Sequence, residues 1–104
     1  ENWRTEFSWN SRSNYNKDQH IQLLNELKLE LNDFKIGYSL ERDSRGVYHV
    51  HGLAYASKEK VKDAIKRIIS KYLLSNEFRI HTNDLLNKYS YVEYMRKLGE
   101  IKFI

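Results

Sequence analysis

The chain contains no cysteine and no proline, and only four glycines and one methionine among its 104 residues. Without thiols there is no disulfide scaffold, no thiolate zinc finger and no cysteine nucleophile. No stretch is proline-rich, low in complexity or repeated, so neither a linker nor a repeat architecture can be assigned. No apolar run approaches the ~18 residues of a membrane span, and no signal-peptide pattern is visible.

What is present suits one domain. Apolar residues make up 40% and aromatics 13%, with eight tyrosines, which excludes disorder as the main state and supplies one modest core. The formal net charge is +4, with a pI near 9.3. That is compatible with a nucleic-acid partner without demanding one. The densest basic cluster, Lys58, Lys60, Lys62, Lys66, Arg67 and Lys71, has helical spacing and is expected to face water. The chain starts at Glu1 rather than Met, so an excised domain is expected.

Hydrophobic periodicity orders the chain. Thr5 to Asn10 alternates as a half-buried strand. After a polar loop, Asp18 is placed to cap a helix reaching Asn32, with Ile21, Leu24, Leu27, Leu31 and Phe34 at helical spacing. Lys35 to Glu41 alternates again, Arg42 to Gly46 is a turn of hairpin length, and Val47 to Ala56 is the next strand. Ser57 caps a helix from Lys58 to Leu74, with Val61, Ala64, Ile65, Ile68, Ile69 and Tyr72 as its stripe. Phe78 to Thr82 is a strand. Asn83 or Asp84 caps a last helix that ends at Gly99, and Ile101 to Ile104 is a short fifth strand. The fold class is α+β: an antiparallel sheet of about five strands with helices packed on one face, in a ferredoxin-like or RRM-like order.

Turning the oily strand residues inward leaves a second face of Glu6, Ser8, Asn10, Ser39, Glu41, His49, His51, Arg79 and His81. If the hairpin folds about Arg45, Glu41 faces His49 and Ser39 faces His51. Directly opposed Cβ atoms lie ~4.5–5.5 Å apart, so Glu41, His49 and His51 can share one ion. Two imidazoles and a carboxylate suit a divalent ion such as Mn²⁺, Mg²⁺ or Zn²⁺ and leave coordination positions open. A bare His-x-His is more often a pair of surface histidines; the opposed acid and the following Gly52, where backbone or ligand can approach closely, argue for a site. His20, on the first helix, is expected at the surface.

On the last helix Asn87, Ser90, Tyr91, Tyr94 and Lys97 share one side. Tyr94 and Lys97 are neighbours three positions apart. A cation beside a phenol favours its phenolate, a usable nucleophile. In a tyrosine-rich chain, packing surface is the competing reading.

Three segments together resemble the HUH endonucleases. His49-Val50-His51-Gly52 fits their His-hydrophobic-His motif, with Glu41 eight residues upstream as the third ligand. Tyr94-Met95-Arg96-Lys97-Leu98-Gly99 fits Tyr-x-x-Lys-x-Gly. Phe7-Ser8-Trp9-Asn10 is a loose version of the first motif. The order and spacing are those of the Rep endonuclease domains of circular single-stranded DNA viruses and related plasmids, over nearly the whole chain. The resemblance implies a single nicking domain, N-terminal in a longer replication protein. It implies a divalent ion, Mg²⁺ or Mn²⁺, held by Glu41, His49 and His51. It implies Tyr94 as the nucleophile that forms a 5′-phosphotyrosine, with Lys97 assisting, and so the start of rolling-circle replication. The implied partner is single-stranded DNA from an origin stem-loop, contacting Trp9, Asn10, Ser39, Arg79, His81 and Tyr91, with no membrane; a homo-oligomer or a fused helicase domain would accompany it. A single-tyrosine transposase of the same superfamily is the enzymatic alternative. A non-catalytic RRM-like binding domain is the other; it needs exposed aromatics on the central strands.

Overall fold

A computed structural model describes residues 3–11, 15–71 and 78–104. The elements run β1 (Thr5–Ser11), α1 (Lys17–Glu30), β2 (Ile36–Arg42), β3 (Tyr48–Ala54), α2 (Lys58–Lys71), β4 (Phe78–Asp84), α3 (Lys88–Leu98) and β5 (Lys102–Phe103). The expected extension of the second helix to Leu74, with Tyr72 in its stripe, lies outside the described residues.

The strands form one sheet in the order β4-β1-β3-β2-β5, every pair antiparallel. That is the ferredoxin-like order with β5 added beyond β2. Phe7, Trp9, Tyr38 and Val50 turn to one face and meet Leu23, Leu24 and Leu27 of α1 and Val61, Ile65, Ile68 and Ile69 of α2. The third helix departs from a one-sided packing. It crosses the opposite face, where the Ser39 hydroxyl donates to the Met95 carbonyl at 3.4 Å. Leu53 and Met95 are both buried there, outside the main core.

Helix starts differ from those expected. Asn16, not Asp18, caps α1: its side chain accepts from the Gln19 amide, and the Gln19 side chain accepts in return from the Asn16 amide, a complete capping box. Asn83 and Asp84 continue β4, which pairs with β1 as far as Thr5↔Asp84; Asn87 caps α3 instead. Ser57 caps α2 and Gly99 ends α3, as expected.

Two glycines have backbone work to do. Gly46 closes the β2–β3 turn at φ +83°, in the left-handed region. Gly52 lies opposite Phe7, and a Cβ there would stand 2.1 Å from the Phe7 ring. The close approach inferred at Gly52 is therefore an aromatic ring on the core side, not a ligand.

His20 is not a surface residue. It is fully buried, and the Trp9 indole N–H donates to its Nδ1 at 3.2 Å. The rings of Tyr15 and Tyr48 flank it. Burial, with His49 adding, lowers its pKa to about 4.

Candidate active site

The β2–β3 hairpin has the expected register: Glu41 pairs with His49 and Ser39 with His51. Adding β1 and β4 gives rows across the second face. One row is Ser39, His51, Ser8, His81; the next, toward the β2–β3 turn, is Glu41, His49, Asn10, Arg79. A row nearer the other end holds Gly37, Leu53, Glu6 and Asn83.

Side chains do not follow the rows. Each histidine reaches one step diagonally toward the turn. His51 Nε2 bonds Glu41 Oε1 at 3.2 Å, and His49 Nε2 bonds Asp43 Oδ2 at 2.8 Å. The three expected ligands thus share a face, but Glu41 pairs with His51 while His49 pairs with Asp43, and among the described residues no group of three or more His, Asp or Glu side chains is gathered to hold an ion. The twist of a two-stranded ribbon brings one diagonal closer than the other, and direct opposition alone does not account for it.

Asp43 lies in the β2–β3 turn, outside the three expected ligands. Its Oδ1 accepts from the amides of Arg45 and Val47, and its Oδ2 accepts from His49 and the Arg45 guanidinium. These bonds, that of His49 foremost, hold its carboxyl well below the usual range. His51 is shifted down by burial, partly offset by the Glu41 bond, so its neutral, ligand-competent form is favoured.

Tyr94 meets this face from α3. Its ring stands edge-on to that of His51, centroids 5.6 Å apart, and the residue as a whole is 46% exposed. Tyr91 lies beside it at 6.1 Å and donates its hydroxyl to the Phe7 carbonyl at 3.4 Å. Burial, then Glu6 and Tyr94, push the Tyr91 phenol well up, so it stays protonated. Lys97 is exposed one turn beyond Tyr94. A cleft of about 190 Å³ beneath Tyr91 and Tyr94 is lined by Glu6, Ser8, His51, His81 and Asn83.

The residues expected to touch nucleic acid separate. Asn10, Arg79 and His81 are at least partly exposed on the second face. Tyr91 lines the cleft. Trp9 is 3% exposed and packs in the core with its indole spent on His20, so it cannot stack on a base. Ser39 is 1% exposed beneath α3, its hydroxyl already bonded, so it cannot contact DNA either.

Among the described residues no helix is long and apolar enough to cross a membrane. No family model and no curated protein sequence matches the chain. Among solved structures it is similar to "De novo designed protein Foldit4", with a TM-score of 0.56 and 17% identity over 81% of this chain and 96% of that one. At that identity the likeness shows the fold alone.

Proposed function

We propose that this domain is an HUH-type endonuclease that nicks and rejoins single-stranded DNA through Tyr94, as replication initiators do. The observation that carries the reading is the meeting of Tyr94 with His51, which is itself hydrogen-bonded to Glu41, on a sheet face otherwise set apart from the core. An exposed phenol beside an imidazole–carboxylate pair needs no such arrangement for packing.

The donor chemistry fits a divalent ion. Glu41 Oε1 and His51 Nε2, 3.2 Å apart, are two donors already side by side. His49 is opposite Glu41 on the same face, though its Nε2 is bonded to Asp43. Glu41, His49 and His51 would hold the ion, which when bound neutralises charge on a non-bridging phosphate oxygen.

The chain's own part is the nucleophile and its setting. The Tyr94 oxygen attacks phosphorus in line and the P–O3′ bond breaks. The phenol gives its proton to water and the leaving 3′ oxygen takes one from water, giving a free 3′-hydroxyl and a 5′-phosphotyrosyl enzyme. One ester replaces another, so the reverse step rejoins ends. Lys97, one turn along, offers a cation near the phosphate. Asn10, Arg79 and His81 offer polar and basic contacts to the strand.

Incubation with a random-sequence single-stranded oligonucleotide pool and Mn²⁺ should give an SDS-resistant protein–DNA adduct. Tyr94→Phe should abolish it while leaving DNA binding within about twofold, and excess EDTA should abolish it too. An adduct that persists in Tyr94→Phe removes Tyr94 from the role. Binding with no adduct under any condition favours a non-catalytic binding domain.

A further inference from the structure

The cleft beneath Tyr91 and Tyr94 adjoins a second space. The cleft holds about 190 Å³; the wider space, about 570 Å³, reaches Lys58 and the start of α3. Glu6, Asn83, Tyr91 and Tyr94 line both, so these four form the throat between them. Two are aromatic rings carried by the helix. The other two are polar and lie side by side on the sheet, directly opposed in the β1–β4 register.

Asn83 donates its amide Nδ2 to Glu6 Oε1 at 3.5 Å, a long bond beside the ~2.9 Å usual for N–H···O. Glu6 is only partly buried, yet it stands close enough to the Tyr91 phenol to help hold it protonated. An ionised carboxylate only accepts hydrogen bonds. With the Asn83 nitrogen turned to Glu6, the throat offers a ligand mainly acceptors: the carboxylate oxygens and the Asn83 Oδ1. A group seated there must be flat enough to lie against two rings and must bring N–H donors. Cytosine, adenine and guanine do so through an exocyclic amino group, and a carboxylate accepting from the cytosine N4 amino group is a standard base contact. Thymine has a single N–H between two carbonyl oxygens, which these acceptors repel.

We propose that the throat seats one unpaired base of the bound strand, with Glu6 selecting for an exocyclic amino group and against thymine. This rests on the reading of the domain as an enzyme of single-stranded DNA, and it needs no metal ion. Stacking on tyrosine is open to every base and gives affinity without identity. The carboxylate supplies the identity. Because Tyr94 both closes the throat and is the proposed nucleophile, the selected base adjoins the phosphate that is attacked.

The test is fluorescence anisotropy of labelled oligo-dC and oligo-dT, each about 12 nucleotides long, with the whole chain in EDTA so that no strand is cut. The two strands share backbone and ring size and differ at the amino group. The wild type should bind oligo-dC about tenfold more tightly, within the range of one good base-edge contact. Glu6→Gln keeps the shape but sets a donor beside its acceptor, so it can pair with thymine; the preference should fall to within about twofold. Removing a negative charge tightens the hold on every strand through its phosphates, and that uniform gain cancels in the dC/dT ratio. Asn83→Ala, at an exposed position, removes one acceptor and should lower the preference to about threefold. Arg79→Ala should weaken both strands alike and leave the ratio unchanged. Equal wild-type affinities for the two strands overturn the base-reading throat and leave single-stranded DNA binding intact. A preference that survives Glu6→Gln overturns the assignment to Glu6; should that variant not fold by circular dichroism, Asn83→Ala decides in its place. No binding of either strand by the folded wild type overturns the single-stranded DNA reading, and the proposal falls with it.

Discussion

Lowering the pH sets a proton against the packing around His20. In the folded chain the Trp9 indole N–H occupies Nδ1, at 3.2 Å, so the ring is neutral with its proton on Nε2. Among the described residues that Nε2 has no hydrogen-bond partner. Protonating Nδ1 would turn an acceptor into a second donor against the indole and place a full charge in a site with no solvent exposure. The folded pKa falls to about 4 from the ordinary 6.5. Because the folded value is the lower one, the unfolded chain binds the proton first. Stability is at its full value above about pH 6.5 and declines as pH falls through the interval toward 4. The linkage relation gives a loss of about 2 kcal/mol by about pH 5 and about 3 kcal/mol by about pH 4. For a domain with a total stability of roughly 5–15 kcal/mol, that decides whether the fold survives mild acid. The assay is urea unfolding at several pH values, wild type beside His20→Gln, whose side-chain oxygen can still accept from Trp9 and does not titrate. The stability of wild type relative to His20→Gln should fall by that amount between about pH 7.5 and 4. A difference that stays constant refutes the reasoning, because a His20 that accepts a proton in the folded state cannot be enclosed as described.

Two further substitutions test the scaffold. Gly52→Ala drives a methyl to 2.1 Å from the Phe7 ring, which is itself buried and has nowhere to turn; unfolding by denaturant should show a loss of about 3 kcal/mol or more, at or beyond the upper end of ordinary overpacking. Asn16→Ala removes one arm of the capping box of α1 and should cost about 1 kcal/mol by the same measurement, more than Asp18→Ala, which has no capping role there.

The parts of the molecule written in periodicity were legible from the sequence. Alternation set which strand residues face the core, and the five-residue turn set Glu41 against His49, because a slip of one residue would have turned every side chain over. What alternation does not encode is the tilt of a side chain along its face. The diagonal pairing of His51 with Glu41, and of His49 with Asp43, comes from that tilt. The burial of His20 is hidden in the sequence for a related reason. A polar residue in a helix reads as exposed, and its burial depends on a partner eleven positions earlier in the chain, the Trp9 indole. The adjacency of Trp9 and His20 on the apolar faces of β1 and α1 was the available signal. Leu53 broke the polar pattern of its strand face and Met95 sat between polar residues of α3. Together they marked the second helix-covered face, a signal carried by residues at unexpected parity.

That second face explains where the proposed chemistry sits. Burial along β3 is graded: Leu53 is 1% exposed, the His51 side chain 13% and the His49 side chain 23%. α3 covers the Leu53 end, with Met95 buried and the Tyr91 hydroxyl tied to the Phe7 carbonyl. It leaves the Glu41–His49–Asn10–Arg79 row nearer solvent. Tyr94 stands at the boundary, against the last well-shielded histidine. This position suits the proposed role of Tyr94 as a nucleophile toward an extended polyanion. Deeper, its ring would be spent on packing, as the Tyr91 hydroxyl already is. Farther out, it would lose the imidazole–carboxylate pair that gives the site its electrostatic character. The helix that carries the tyrosine is thus anchored to the sheet by the Ser39–Met95 and Tyr91–Phe7 hydrogen bonds. Loosening that anchor should move Tyr94 away from His51 without altering the β2–β3 hairpin.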